Sequence, residues 1–240
     1  MDPDYMESIW WVFKQLYSQG LIYEGYKSMY VCPRCETPLS NFEVTQAYKD
    51  ITDYTATVKF PLVDEANTYV LAWTTTPWTL PGNLFLAVHP EIDYVKIKWK
   101  ADIKRGDIDA KVGDVFILAK ARLLSVFKDQ YDAFELITTM KGTDLLRKKY
   151  KPLFPYFAEK YQAQDAFRIV HGDFVTTEDG TGVVHIAPGF GPDDFEVGKR
   201  EKTDILQHVG IDGKFVSAVG DGFAGMDVKP KDDPTKADKK

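Results

Sequence analysis

Gly180-Thr-Gly-Val-Val-His185-Ile-Ala-Pro-Gly-Phe-Gly-Pro-Asp-Asp194 is the stretch from which the rest of the sequence is read. Asp179 and Gly180 mark a turn, residues 182–186 a short apolar strand carrying a histidine, and a Gly/Pro loop leads to a helix that Pro192 can start. Proline suits the first helical position, and Asp193 and Asp194 fall in the first turn, where the helix dipole favours negative charge. The outcome is an imidazole and a carboxylate nine residues apart, on a loop whose glycines let backbone come close to a ligand. On local grounds alone the same residues read equally well as a buried histidine beside a helix-capping aspartate.

The 240 residues are enough for one large domain, or one and a half small ones, with a real core, and 44% hydrophobic and 14% aromatic content is that of an ordinary globular chain. No apolar run approaches the ~20 residues needed to span a bilayer, and no signal peptide opens the sequence. Two cysteines give no disulfide framework, which makes a reducing cytosol the default compartment. The formal charge of −6 argues against a chain that grips nucleic acid by itself, because such binding comes mainly from neutralising phosphates.

Residues 3–19 read as a helix, with Pro3 at its start, apolar residues at Tyr5, Ile9, Val12, Phe13 and Leu16, and Gly20 as the stop. Trp10, Trp11 and Tyr17 widen the stripe to most of the circumference, so this helix expects cover from another domain. Cys32-Pro-Arg-Cys35 is half of a tetrahedral metal site, but zinc needs four protein ligands and the four histidines are scattered singly. Strands are expected at 69–73, 95–100, 114–118 and 134–139. The second of these alternates cleanly, with one buried face and one wet lysine face. Short helices are expected at 119–127 and 144–150, the latter ended by Pro152. Residues 167–170 and 174–177 lead into the opening strand, and Asp212-Gly213 signals another hairpin. Many short strands and few long helices predict a β-rich α+β fold, a barrel-like β core with peripheral helices. From Asp227 onward the Lys/Asp/Pro composition predicts a frayed tail.

A second stretch, Trp73-Thr74-Thr75-Thr76-Pro77-Trp78-Thr79-Leu-Pro-Gly-Asn83, runs a strand into three threonines and a Pro/Gly loop. Hydroxyls and backbone N–H groups exposed together at a strand end suit carboxyl or phosphate oxygens and the positioning of a water. Strand propensity alone also favours threonine, though not three in a row followed by Pro-Trp-Thr. There is no nucleophile elbow, no Walker loop and no HExxH. The aspartates after Gly189-Phe-Gly191 would repel phosphate and suit a cation such as the ammonium of an amino acid. Hydroxyls, an imidazole and a carboxylate without a strong nucleophile suit hydrolysis of an already activated bond, where positioning supplies much of the barrier reduction.

Together these two stretches resemble the signature motifs of the isoleucyl-tRNA synthetase editing domain, the connective insertion of a class I synthetase. Thr76 stands where valyl and leucyl relatives typically carry Arg. Gly20-Leu-Ile-Tyr-Glu-Gly-Tyr-Lys and Pro38-Leu-Ser-Asn-Phe-Glu-Val resemble the entry into that insertion, and Pro152-Leu-Phe-Pro-Tyr-Phe157 resembles its eukaryotic cytosolic form. The resemblance implies an entry segment at 1–50 linking to the catalytic domain, an editing domain at 51–226 and a tail or linker at 227–240. It implies post-transfer editing in the cytoplasm: an aminoacyl-tRNA deacylase acting on the acceptor end of the isoleucine tRNA carrying valine, with the remainder of the synthetase in cis. No DNA, membrane, metal or cofactor is expected. The class I ATP-binding signatures are absent, so no aminoacylation is expected.

In the resemblance Asp194 meets the α-ammonium, and Thr74, Thr75 and Thr76 bind the ester or terminal ribose and hold the water. His185 and Thr79 bound the side-chain pocket, with Trp78 and Asn83 on the same substrate-binding loop. Two other readings stand beside this one: a non-catalytic module binding the tRNA end or a partner, and a structural zinc domain organised by Cys32 and Cys35.

Overall fold

The computed structural model describes residues 2–46, 48, 53–105, 108–128, 130–220 and 222–229. Helix α1 (Pro3–Ser18) is followed by the hairpin β1 (Val31–Cys32) and β2 (Thr37–Pro38) and the single turn α2 (Asn41–Val44). Strands β3 (Ala56–Pro61), β4 (Thr68–Thr74), β5 (Phe85–Val88) and β6 (Asp93–Trp99) come next, then the pair β7 (Ile103–Arg105) and β8 (Ile108–Ala110), and β9 (Val115–Ala119). The chain continues through α3 (Leu123–Phe127), β10 (Phe134–Lys141), α4 (Ala158–Gln162), β11 (Arg168–His171), β12 (Val184–Ile186) and α5 (Pro192–Arg200).

Two sheets make the core. One has five strands in the order β10-β6-β9-β4-β3, antiparallel except where β4 lies parallel to β9; the other has three in the order β11-β5-β12. Side chains on a strand alternate between faces, and this alternation divides the five-stranded sheet into two apolar layers. Val70 and Ala72 of β4, with Ile117 and Ala119 of β9, face the three-stranded sheet. Leu71, Phe116 and Leu118 point the other way, into a second cluster with Val95, Ile97 and Trp99 of β6, closed over by Phe127 of α3. Strand β5 lies between β11 and β12 and is buried at every residue. A strand covered on both faces reads as a continuous apolar run without a period, and this is why Phe85–Val88 did not stand out as a strand in the sequence.

The fold is the expected β-rich α+β arrangement with helices at its periphery. Among the described residues the core is enclosed by two open sheets, with β10 and β3 at the edges of the larger, and the strands do not close into a barrel. The alternation of β6 holds for Val95, Ile97 and Trp99, all buried, while Lys96 is drawn to Glu65 in an ion pair that Lys148 also joins. Helix α1 begins as read, with Asp2 accepting the Asp4 N–H at 3.1 Å, and it buries none of its residues. The expected strand at 182–186 is shorter, because Gly182 is in the left-handed region (φ 73°) and turns the chain before β12. The tail expected from Asp227 is described only to Lys229.

The helix expected at 144–150 is absent. A 3-10 turn covers Gly142–Leu145, and the chain then leaves helical geometry at Leu146 and Arg147, the latter at φ 68°. Lys149 and Tyr150 instead form isolated bridges to Arg168 and Leu62, so the segment ties β11 to the end of β3. The helix expected at 119–127 starts late, since Ala119 closes β9, Lys120–Arg122 is a 3-10 turn, and only Leu123–Phe127 is α-helical. Residues 174–177 form no strand: a turn at Asp173 and Phe174 gives way to irregular chain on the way to β12.

Tyr150 is the pivot of this tie. Its ring is buried edge-on against Phe60, and its hydroxyl donates to Asn83 Oδ1 at 2.7 Å. Removing the hydroxyl leaves a buried amide oxygen unpaired, at a cost of about 1–3 kcal/mol. Tyr150→Phe is therefore expected to lower the unfolding free energy by that amount, read as a lower urea midpoint; an unchanged midpoint would show that Asn83 does not depend on this bond.

Candidate functional site

Strand β4 of the large sheet ends at Thr74, and the chain crosses to β5 of the small sheet through Thr75, Thr76, the 3-10 turn Pro77–Gly82 and Asn83. The stretch read as a Pro/Gly loop is thus a compact turn with Pro77 at its start, where a missing N–H costs nothing. Strand β12 pairs antiparallel with β5, setting His185 opposite Leu86, and the loop after it leads into α5. Two stretches a hundred residues apart in sequence meet at the junction of the two sheets.

Six of the eight residues singled out in the sequence line one cavity there. Thr74, Thr75, Thr76, Thr79, His185 and Asp194 surround about 280 Å³, together with Trp73, Val184, Ala187 and Phe190. That is at the small end of the roughly 300–1,000 Å³ usual for ligand pockets. Asn83 and Trp78 do not border it. Asn83 stands behind His185, and Trp78 stands behind Phe190, ring centroids 5.6 Å apart and edge-on. The apolar wall of Val184, Ala187 and Phe190 was missed as a site. Phe190 lies inside the glycine loop that was read, where its bulk beside two small residues was the available signal.

A chain of hydrogen bonds fixes His185. The Asn83 amide donates to the Phe85 carbonyl at 2.9 Å and to His185 Nδ1 at 2.9 Å, while its oxygen accepts from Tyr150. A carbonyl can only accept, so the nitrogen of Asn83 must face Phe85 and His185 Nδ1 must be bare. The proton then sits on Nε2, which donates to Thr79 Oγ1 at 2.8 Å, and Thr79 Oγ1 donates to the Thr76 carbonyl at 2.7 Å. Thr76 Oγ1 lies 3.3 Å from both Thr79 Oγ1 and Thr74 Oγ1, and Thr74 Oγ1 accepts the Thr76 N–H at 3.1 Å. Burial, with the nearby His208 adding to it, holds the His185 pKa down at about 3. Both nitrogens are thus engaged, and the ring carries no charge at neutral pH.

Asp194 is the carboxylate among the described lining residues. Its Oδ1 accepts the Ala187 N–H at 2.7 Å, which folds the first turn of α5 back over the end of β12. Burial pushes its carboxyl up to about 6, against that hydrogen bond, and the neighbouring Asp193 adds to the rise. Thr75 is exposed at the rim. The cavity therefore offers an apolar wall, a row of hydroxyls, a neutral imidazole and one partly desolvated negative charge, which suits a small apolar group carrying a cation.

Cys32 and Cys35 lie on the β1–β2 hairpin, away from this cavity, and among the described residues no group of three or more His, Cys, Asp or Glu is arranged to hold a metal. No helix of the described residues is long and apolar enough to cross a membrane.

A family model described as tRNA synthetases class I (I, L, M and V) matches residues 1–178. An isoleucine–tRNA ligase of Bdellovibrio bacteriovorus is 46% identical over 240 residues, covering 100% of this chain and 22% of that protein. A probable cytoplasmic isoleucine–tRNA ligase of Dictyostelium discoideum is 46% identical over 237 residues, 95% of this chain and 21% of that protein. The cytoplasmic isoleucine–tRNA ligase of Mus musculus is 51% identical over 195 residues, 81% of this chain and 14% of that protein. The chain thus spans about a fifth or less of the length of these curated relatives. Among solved structures, the editing domain of the P. knowlesi cytosolic leucyl-tRNA synthetase superposes with a TM-score of 0.44 at 14% identity, over 65% of this chain and 64% of that one.

The raised Asp194 pKa makes a stability prediction. The folded state holds this proton more tightly than the unfolded chain does, so its contribution is full below about 3.8 and is lost as pH rises through about 6. Asp194→Asn keeps the shape and an acceptor for Ala187 without the charge. It is expected to be more stable than wild type near neutral pH, by on the order of 3 kcal/mol, with the advantage vanishing as pH falls below about 4. Urea titrations at several pH values would read this; an Asn variant no more stable at neutral pH would contradict the buried-carboxylate assignment.

Proposed function

The chain belongs to the class I tRNA synthetases (I, L, M and V), and from that premise we propose that its cavity performs post-transfer editing, the hydrolysis of valine mischarged onto the isoleucine tRNA. The observation that carries this reading is the convergence of the threonine loop and the acid loop on one small cavity.

The need for such a site is physical. One missing methylene gives a binding pocket only ~1–3 kcal/mol of discrimination, isoleucine against valine being the standard instance of that limit and not a value obtained from this cavity. A second pocket that admits the smaller side chain and excludes the larger supplies the remainder. In this reading the branched side chain of valine lies against Thr79 and His185, and an extra methyl would press on an imidazole that Asn83 and Thr79 hold from both sides. Asp194 receives the α-ammonium. Its Oδ1 is committed to Ala187, leaving Oδ2 for the ligand, and an incoming cation would draw the carboxyl back toward ionisation.

Thr74, Thr75 and Thr76 hold the ester, the terminal ribose and the attacking water. Water adds to the ester carbonyl, the tetrahedral intermediate collapses, and the ribose oxygen leaves with a proton. His185 cannot take the water's proton, since neither nitrogen is available, which leaves the neighbouring ribose hydroxyl of the substrate as a relay. Trp78 and Asn83 act from behind the cavity wall. The cytoplasm as compartment, the remainder of a synthetase in cis and the division of the chain at residues 50 and 226 complete the reading. The Dictyostelium and mouse relatives are named as cytoplasmic enzymes, which supports the compartment.

Single-turnover hydrolysis of Val-tRNA and Ile-tRNA, both made with the isoleucine tRNA, tests this. Wild-type protein is expected to clear the valyl ester and spare the isoleucyl ester. Asp194→Ala loses a charge-assisted contact worth about 2–5 kcal/mol, a slowing on the order of 30-fold or more. His185→Ala is expected to begin hydrolysing Ile-tRNA. Binding of Val-tRNA without hydrolysis would favour the alternative of a module that only holds the tRNA end, and an unimpaired Asp194→Ala would remove that residue from the site.

A further inference from the structure

His208 lies beyond α5, outside both loops that line the cavity, and its ring is completely buried. It touches the back of each loop. Nε2 is 3.1 Å from the Trp78 carbonyl, and since a carbonyl can only accept, Nε2 carries the proton and Nδ1 is bare. Nδ1 has no partner among the described residues. It lies directly on Gly82, where an added Cβ would come 2.3 Å from Nδ1 and 2.4 Å from Cε1. The turn thus needs a glycine for the ring to seat.

On its other side the ring centroid is 4.4 Å from that of Phe190, which lines the cavity, and a looser stack with Phe215 at 6.1 Å backs it. Phe190 in turn meets Trp78 edge-on, so Trp78, Phe190 and His208 are in mutual contact. A buried nitrogen without a partner is costly, and a leucine or phenylalanine would fill the same space without it. Only a side chain that packs on Phe190 and also donates to Trp78 joins the two loops. The Trp78 carbonyl is one residue from Thr79, the hydroxyl that accepts from His185.

We propose that His208 is a positioning residue of the editing cavity: by donating to the Trp78 carbonyl while packing on Phe190, it fixes the spacing of the threonine loop and the acid loop, and so the bulk of side chain the cavity admits. This rests on the editing reading for the identity of the ligand, while the spacing itself belongs to the fold. His208 makes no contact with substrate. Its effect is on selectivity, through the positions of Thr79 and Phe190.

The test compares wild type with His208→Ala, His208→Phe, His208→Gln and Gly82→Ala. Two readouts are used: single-turnover hydrolysis of Val-tRNA and Ile-tRNA, and affinity for non-hydrolysable amide-linked valyl- and isoleucyl-adenosine. His208→Ala and Gly82→Ala, which empty or displace the ring, are expected to shrink the valine-over-isoleucine preference at least tenfold in both readouts. His208→Phe keeps the aromatic contact without the donor and should shrink it less, while His208→Gln keeps a donor for Trp78 and should recover part of the loss. Thermal melts show which variants are folded. A preference unchanged in folded His208→Ala and Gly82→Ala overturns the proposal, as does a loss of both activities in equal proportion, which marks a merely structural role. If wild type hydrolyses neither ester but prefers the valyl analogue, editing by this chain fails while the analogue preference still decides the role of His208. If wild type binds the two analogues equally, both fall.

Discussion

Four side chains and one carbonyl, from Tyr150 through Asn83, His185 and Thr79 to that of Thr76, form a buried hydrogen-bonded run on which the rest of the site depends. Buried polar groups are costly unless every donor and acceptor is used, and here the order of donors is forced at Asn83 by the Phe85 carbonyl. That one obligate acceptor sets the amide of Asn83, which sets the tautomer of His185, which sets the hydroxyl of Thr79. The run also crosses the architecture. It joins the segment that ties the two sheets, the residue after the 3-10 turn that leads into β5, the middle of β12 and the turn that follows β4. A rigid wall follows from the fold itself.

The charge in the site obeys the opposite rule. Asp194 is in the first turn of α5, where the helix dipole favours its ionised form by ~0.3–1 kcal/mol, less than the roughly 1.4 kcal/mol of one pKa unit. Burial outweighs this and carries the carboxyl up to about 6. A carboxylate held away from water with one oxygen engaged and the other open is a poor contributor to stability and a good receptor for a cation. The fold tolerates it because the surrounding layers, with β5 wholly buried between its neighbours, supply the stability from apolar packing.

Much of this was legible in the sequence where the pattern is local. The alternation of Val95, Ile97 and Trp99 announced a half-buried strand, and Pro192 with two aspartates announced α5. The threonine run and the His/Asp loop were each visible, and six of their eight singled-out side chains meet in space. What escaped was long-range. Strand β5 has no period because both faces are covered. The 144–150 segment has apolar spacing that fits a helix, yet its backbone groups bond to β11 and to the end of β3, and tertiary pairing prevails over propensity. Asn83 and Trp78 have the composition of ligand contacts, but only the pairing of β12 with β5 and the packing of Trp78 on Phe190 reveal that they stand one layer behind. Family resemblance supplied the proposed substrate class, which no spacing could have given.

The most direct test of the central claim is the protonation state of His185, followed by nitrogen-resolved NMR of the four histidine side chains as pH is lowered from about 8 to about 4.5. The hydrogen-bonded run requires one histidine, assigned by its loss in His185→Gln, to show a proton on Nε2 and a bare Nδ1, and to remain neutral across the whole range. A proton found on Nδ1, or a titration midpoint near the ordinary value of about 6.5, would contradict it.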